Sequence, residues 1–278
     1  MNTVGYKIKK GLLYFALILL AVICLLPFMT TIINATRSGA EISSSVTLIP
    51  SRYLKENWHI IFDFFNPFKG LINSALVAIP ATLLTAYFST MTAFALAFYD
   101  FKGNKVIFGA ILVFMMIPGQ LSLIGFYQLC AKLHLINSYV PLIIPAIASP
   151  GTVFFLRQYI SSSLSPALLE AARIDGASEL FSFHRIVLPL MSPAIATMSI
   201  MAFIGNWNSY LLPMIILTKG DKFTLPVMMA TLRSSLDAQR NQGAIYLAVA
   251  ISIIPILLIF CFFSKYIISS ISAGAVKE

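Results

Sequence analysis

The stretch GLLYFALILLAVICLLPFMTTIINAT, residues 11–36, runs without a single charged side chain. A hydrocarbon core about 30 Å thick is crossed by roughly 20 apolar residues at 1.5 Å rise each, so the stretch is long enough to span a bilayer as a helix. It does not alternate apolar with polar residues, as a barrel strand of about 10 residues does. A helix is then the remaining way to satisfy its backbone in lipid. Five more charge-free runs of similar length follow, at 70–99, 106–131, 133–156, 186–218 and 241–264. All 19 basic and 10 acidic groups fall outside these six runs. Only 10% of the residues are charged, against about 25% in an average soluble domain, which excludes a water-soluble globular fold. The expected fold is an all-α integral membrane protein with about six transmembrane helices.

Lys7, Lys9 and Lys10 precede the first run, which continues too far for a secretory signal and lacks a small-x-small cleavage site, so it reads as a retained span. Six spans with the N-terminus inside put both termini and the loops near 100–105 and 158–188 in the cytoplasm. The loops near 35–69, 132 and 219–240 then lie outside. Basic residues are spread almost evenly between the two sides, so only the first span, with its three lysines, gives a clear local vote for this orientation. The net charge of +9 is scattered among membrane-length runs, which argues against nucleic acid and for anionic lipid.

The chain divides into residues 1–69, the N-terminal span and first external loop; 70–265, a five-span core containing the cytoplasmic loop 161–189; and 266–278, a cytoplasmic tail. Tyr53, Trp58, Phe62, Phe64 and Phe65 make the first external loop an interfacial cap or docking surface. Pro80, Pro118, Pro141, Pro145 and Pro255 lie within the runs and predict kinks, either as hinges or as the ordinary prolines of membrane helices. Cys24, Cys130 and Cys261 read as packing residues.

Loop 161–189 is the most informative segment. Ser165 and Pro166 suit the N-cap and first helical position, and Gly176 suits a left-handed helix end. The helix between them, about ten residues or 15 Å long, is too short and too charged to span. Ala171 and Ala172 allow close approach by another backbone, Leu168 and Leu169 supply apolar contacts, and Glu170 is placed to pair either with Arg173 three residues on or with a basic group of a partner. Ser178 caps a second short helix. The loop therefore reads as helix, sharp turn, helix: a compact knob at the membrane surface, or an amphipathic connector resting on the bilayer.

The pattern E-A-A, three residues, G, nine residues, I-x-L-P is met at Glu170, Ala171, Ala172, Gly176, Ile186, Leu188 and Pro189. It resembles the signature of membrane-spanning permease subunits of bacterial ABC importers, and its extended form with Asp175 is similar to the carbohydrate-uptake branch of maltose-type permeases. Asn73-Ser74, 117–120, 135–138, Trp207-Asn208 and 272–277 extend the resemblance from about residue 70 to the end. The resemblance implies a coupling helix that docks on a cytoplasmic ABC ATPase dimer. It further implies a second membrane permease subunit, usually a different homologous chain, an extracytoplasmic sugar-binding protein that meets the external loops at 37–69 and 219–241, and residence in the bacterial cytoplasmic membrane.

The chain lacks a Gly-Lys dipeptide and so has no P-loop; ATP and magnesium belong to the partner, and no cofactor is expected here. His59, His134 and His184 fall on different loops, which leaves no histidine-based metal cluster or catalytic triad. Carboxylates are absent from all six runs, which favours an outside energy source over a proton relay. A di- or oligosaccharide passes most readily along amides, hydroxyls and aromatic faces. Candidates for that path are Gln120, Asn206, Trp207, Asn208 and Tyr210. Trp207 and Tyr210 serve equally well as interfacial anchors, and Gln120 and the asparagines as interhelical hydrogen-bonding groups. The alternatives are a self-sufficient secondary sugar transporter or channel, and an intramembrane enzyme.

Overall fold

A computed structural model of the chain describes residues 3–235, 237 and 240–275, with side chains over 9–235, 237 and 240–264. The last three residues of the proposed tail 266–278 and all its side chains lie outside the described residues. Every regular element described is helical. α1 (Thr3–Asn34) is followed by two short helices, α2 (Gly39–Ser44) and α3 (Leu54–Phe64), and then by α4 (Pro67–Phe98). α5 (Asn104–Met116) and α6 (Leu123–Lys132) are joined through a 3-10 turn at Gly119–Ser122. α7 (Val140–Ile143), a 3-10 turn at Ile144–Ile147 and α8 (Pro150–Ser163) come next. α9 (Pro166–Ile174), α10 (Glu179–Ser182), a π-helical turn at Phe183–Val187 and α11 (Leu188–Leu190) lead into α12 (Ser192–Trp207). α13 (Leu211–Ile216), α14 (Leu225–Arg233) and α15 (Gln242–Ala275) complete the chain.

Among the described residues, four stretches are long and apolar enough to cross a membrane, and six are when each of two bent pairs counts as one span. The third apolar run is bent by 90°. Its cause is Pro118, which disfavours helical geometry at Ile117 and leaves both residues extended. The fifth run is bent by 78° before Ser192, so its first residues belong to the loop segment. The fourth crossing runs Val140–Ser163, displaced toward the C-terminus from the apolar run 133–156. Residues 133–139 are instead a turn in which Asn137 adopts φ +59°, and Arg157, just past the charge-free run, lies on α8. Pro80 and Pro255 sit inside unbroken helices, so proline alone does not decide where a span breaks.

The chain forms two compact units, Met1–Phe68 with Met228–Ile254, and Lys69–Val227 with Pro255–Glu278. In the first, the loop after α1 is folded around buried Arg37. Its guanidinium donates to Asn34 Oδ1, the Ser45 and Glu41 carbonyls and Ser45 Oγ. Asn57 Nδ2 donates to the Ala35 and Arg37 carbonyls at 2.9 Å each, and Gly243 at the start of α15 packs directly on this cradle. Trp58, Phe62 and Phe68 form an aromatic cluster beside it. The most apolar window of α1 has no buried residue, so α1 offers its apolar surface to lipid or to another chain.

In the second unit, several of the resemblance motifs converge on one piece of chain. Asn73 Nδ2 donates to the Asp221 and Phe223 carbonyls, and Ser74 Oγ accepts from the Leu225 N–H. Asn137 Oδ1 accepts from the Thr218 and Lys219 N–H groups, and the Tyr139 hydroxyl donates to the Lys222 carbonyl. Beneath these pins Val77, Cys130, Leu142, Ile216 and Leu217 pack together. Cys130 is buried as expected, whereas Cys24 and Cys261 are exposed.

Candidate functional site

The signature segment lies wholly in the second unit. Ser165 has the extended N-cap backbone, although its hydroxyl makes no capping bond, and Pro166 opens α9. The helix ends at Gly176 with φ +80°. The Ala177 N–H donates to the Ala172 carbonyl at 2.9 Å and the Gly176 N–H to the Arg173 carbonyl at 3.0 Å, the two bonds of a Schellman motif. Ser178 Oγ then accepts the Phe181 N–H and starts α10. The Leu188 N–H reaches back to the Phe183 carbonyl, a wide turn just before Pro189, which has no N–H to give.

One face of this unit is fixed. Leu169 is buried in a cluster with Ala93 and Phe94 of α4, Phe183, Val187 and Met191, and Leu188 packs at its edge. Ala172 is buried too, so half of the Ala171-Ala172 pair serves this chain's own packing. The other face is open. Glu170, Ala171, Asp175, Gly176 and Pro189 are exposed, Ile174 is 86% exposed, and Leu180 and Phe181 project beside it. Ala172, Asp175, Gly176, Ala177, Ser178, Phe181 and Ile186 line a hollow of about 540 Å³.

Arg173 pairs across the turn with Glu179, Nε to Oε1 at 2.8 Å, and not with Glu170. The Tyr99 hydroxyl donates to Glu179 Oε2, and the Arg173 guanidinium lies 5.4 Å from the Tyr99 ring centre. The Tyr99 hydrogen bond and then Arg173 hold the Glu179 carboxyl below the usual carboxylate range. Tyr99 follows α4, so this trio ties both arms of the turn to the end of that helix. Eighty residues separate Tyr99 from Glu179, and no local pattern announces the contact.

The substrate-path candidates are dispersed. Gln120 is exposed on the 3-10 turn beyond Pro118. Trp207 is 3% exposed, stacked on Phe203 and packed with Ala78. Asn208 is exposed and Tyr210 half-buried beyond the end of α12. Asn206 lines a cavity of about 390 Å³ with Thr85, Ala146, Ala148, Ser149, Gly151, Thr152, Met198, Met201, Ala202 and Gly205. Here the Thr85 hydroxyl donates to the Ala146 carbonyl, and the Ser149 and Thr152 hydroxyls lie 2.8 Å apart. The backbone at 144–149 is not α-helical, an irregularity tolerated at membrane depth only where it is covered by protein or lines a cavity. Its volume falls in the roughly 300–1,000 Å³ range of small-molecule sites, and none of its lining residues is charged. The sequence Ser149-Pro150-Gly151-Thr152, a polar interruption in an apolar run, is the signal that marks it.

Residues 78–273 match the family described as the binding-protein-dependent transport system inner membrane component. The chain belongs to this family. It is 38% identical, over 97% of both chains, to the arabinooligosaccharides transport system permease protein AraQ of Halalkalibacterium halodurans. It is 32% identical to the diacetylchitobiose uptake system permease protein NgcG of Streptomyces coelicolor, over 94% of this chain and 87% of that one. Its fold is that of a chain in the crystal structure of a bacterial ABC transporter involved in the import of the acidic polysaccharide alginate, with TM-score 0.79 and 20% identity over 96% of this chain and 99% of the other. This permease is thus a multi-pass inner-membrane protein, and the matched region contains both the signature segment and the cavity at Asn206.

Proposed function

We propose that this permease is one membrane subunit of an ATP-driven importer for a neutral di- or oligosaccharide delivered by an extracytoplasmic binding protein, and that Glu170, Ala171, Ala172, Asp175, Gly176, Ile186, Leu188 and Pro189 form its ATPase-coupling element. One observation carries the reading: a rigid helix-turn-helix, anchored on α4 through Leu169 and Phe183, leaves an apolar rim of Ile174, Leu180 and Phe181 around an open hollow. A lever needs both a fixed root and a free docking face. ATP and magnesium are handled by the partner ATPase dimer, and the second membrane subunit is a homologous chain of different sequence. With six crossings the N-terminus, loop 99–103, the coupling element and the C-terminus share the cytoplasmic side.

The test is purification of the tagged chain in mild detergent with mass spectrometry of its companions. Recovery of a P-loop ATPase and a second permease, lost when 170–176 is disrupted, is the expected result. A chain that runs alone and moves sugar into vesicles without ATP belongs to the secondary-transporter class.

The Tyr99 tie predicts a separable defect. Tyr99→Phe removes one hydrogen bond worth about 1 kcal/mol, and uptake is expected to fall about fivefold with membrane levels unchanged. Unaltered uptake in that variant removes Tyr99 from the coupling path.

The uncharged cavity at Asn206 supports the sugar path, with Thr85, Ser149 and Thr152 as its hydroxyl groups. Asn206→Leu, at a half-buried position, is expected to lower uptake at limiting sugar by about tenfold, the equivalent of one well-made polar contact. Neutral oligosaccharides compete for uptake in this account; competition by charged sugars alone overturns it.

A further inference from the structure

The end of α4, the start of α5 and the cytoplasmic half of α8 border a second hollow, of about 430 Å³, lined by 96–101, 103–106 and Arg157. Arg157 lies inside the apolar crossing Val140–Ser163. Its guanidinium stacks 3.9 Å from the Phe108 ring centre, and its Nε donates to the Leu96 carbonyl at 3.4 Å. Its terminal amino groups have no hydrogen-bond partner among the described residues. Lys105 lines the same hollow, and neither cation has a carboxylate within 4.0 Å among the described residues. Asp100 also lines the hollow, at a greater distance, leaving the lining with one excess positive charge. A cation within an apolar crossing is costly unless an anion or water meets it.

The surroundings distinguish an amphiphile from a simple anion. Val106 is 76% exposed beside the hollow, and Phe101 and Ile107 are exposed with it. A cationic hollow rimmed by apolar side chains at the end of membrane helices suits a phosphate with acyl chains attached. We propose that this hollow holds the phosphate headgroup of an anionic phospholipid, with Arg157 and Lys105 as its cationic ligands and Phe108 fixing the plane of the guanidinium. The leaflet rests on the coupling reading above, which makes this end cytoplasmic; the site itself does not.

The experiment uses the purified transporter, in nanodiscs of phosphatidylcholine with a minority of phosphatidylglycerol. Lipids retained after mild detergent extraction are counted by native mass spectrometry. Phosphatidylglycerol is expected to be enriched over its share of the bilayer. Arg157→Gln and Lys105→Gln each reduce that enrichment by about fivefold, the effect of one basic group near an anionic headgroup. Retention in bilayer proportion, or enrichment unchanged in both variants, overturns the proposal. Displacement of the lipid by millimolar inorganic phosphate also overturns it, because the ligand is then free phosphate. Lys105 is exposed, so Lys105→Gln decides the matter if Arg157→Gln fails to fold. The lipid count requires no transport, so failure of the coupling reading leaves this result standing, and the reverse holds too.

Discussion

Replacing Gly176 by glutamate is expected to abolish uptake while the chain remains in the membrane at its normal level. Gly176 sits at φ +80°, where a side chain costs about 1–2 kcal/mol. The two Schellman bonds to Ala172 and Arg173 depend on that conformation. A Cβ there meets nothing within 4 Å of this chain, so the anchored side, built on Leu169 and Phe183, survives the substitution. What changes is the open face, where a tilted turn and a new carboxylate beside Asp175 meet whatever docks on the hollow. Gly176→Asn tests the two effects separately, because asparagine tolerates left-handed geometry and adds no charge. It is expected to keep most of the uptake, measured with labelled sugar in cells against immunoblotted membrane levels. Wild-type uptake by Gly176→Glu removes the lever from the mechanism.

A different glycine controls stability. Gly243→Ala places a Cβ 2.0 Å from the Arg37 carbonyl oxygen and 2.5 and 2.8 Å from the Asn57 amide atoms. The nearest atom is backbone and cannot rotate away. Either the start of α15 moves out, or the cradle at Arg37 opens and Asn57 gives up its two hydrogen bonds. The loss is expected to be about 3 kcal/mol, from overpacking together with unmade hydrogen bonds. The readout is the thermal transition of the detergent-solubilised protein, with chain abundance in the membrane as a second measure. A transition unchanged by the substitution contradicts the close approach.

The sequence by itself determined that the chain is helical and membrane-spanning, because a run of apolar residues without charge has one inexpensive way to satisfy its backbone in lipid. It also determined the turn of the signature segment. Pro166, Gly176 and Ser178 act through their own backbone geometry and near neighbours, and all three occupy the positions that geometry predicts. Interactions between distant residues were invisible there. Glu170 and Arg173 have suitable spacing on one helix, yet Arg173 pairs with Glu179, whose other carboxylate oxygen accepts from Tyr99 at the end of α4. Only the tertiary structure decided that Trp207 packs in the interior while Asn206, one residue earlier on α12, lines a cavity. Only it showed that Gly243 must be glycine because the Arg37 carbonyl, more than two hundred residues earlier, presses against it. Local backbone preference acts over a few residues and can be read in order, whereas packing is settled by which surfaces meet.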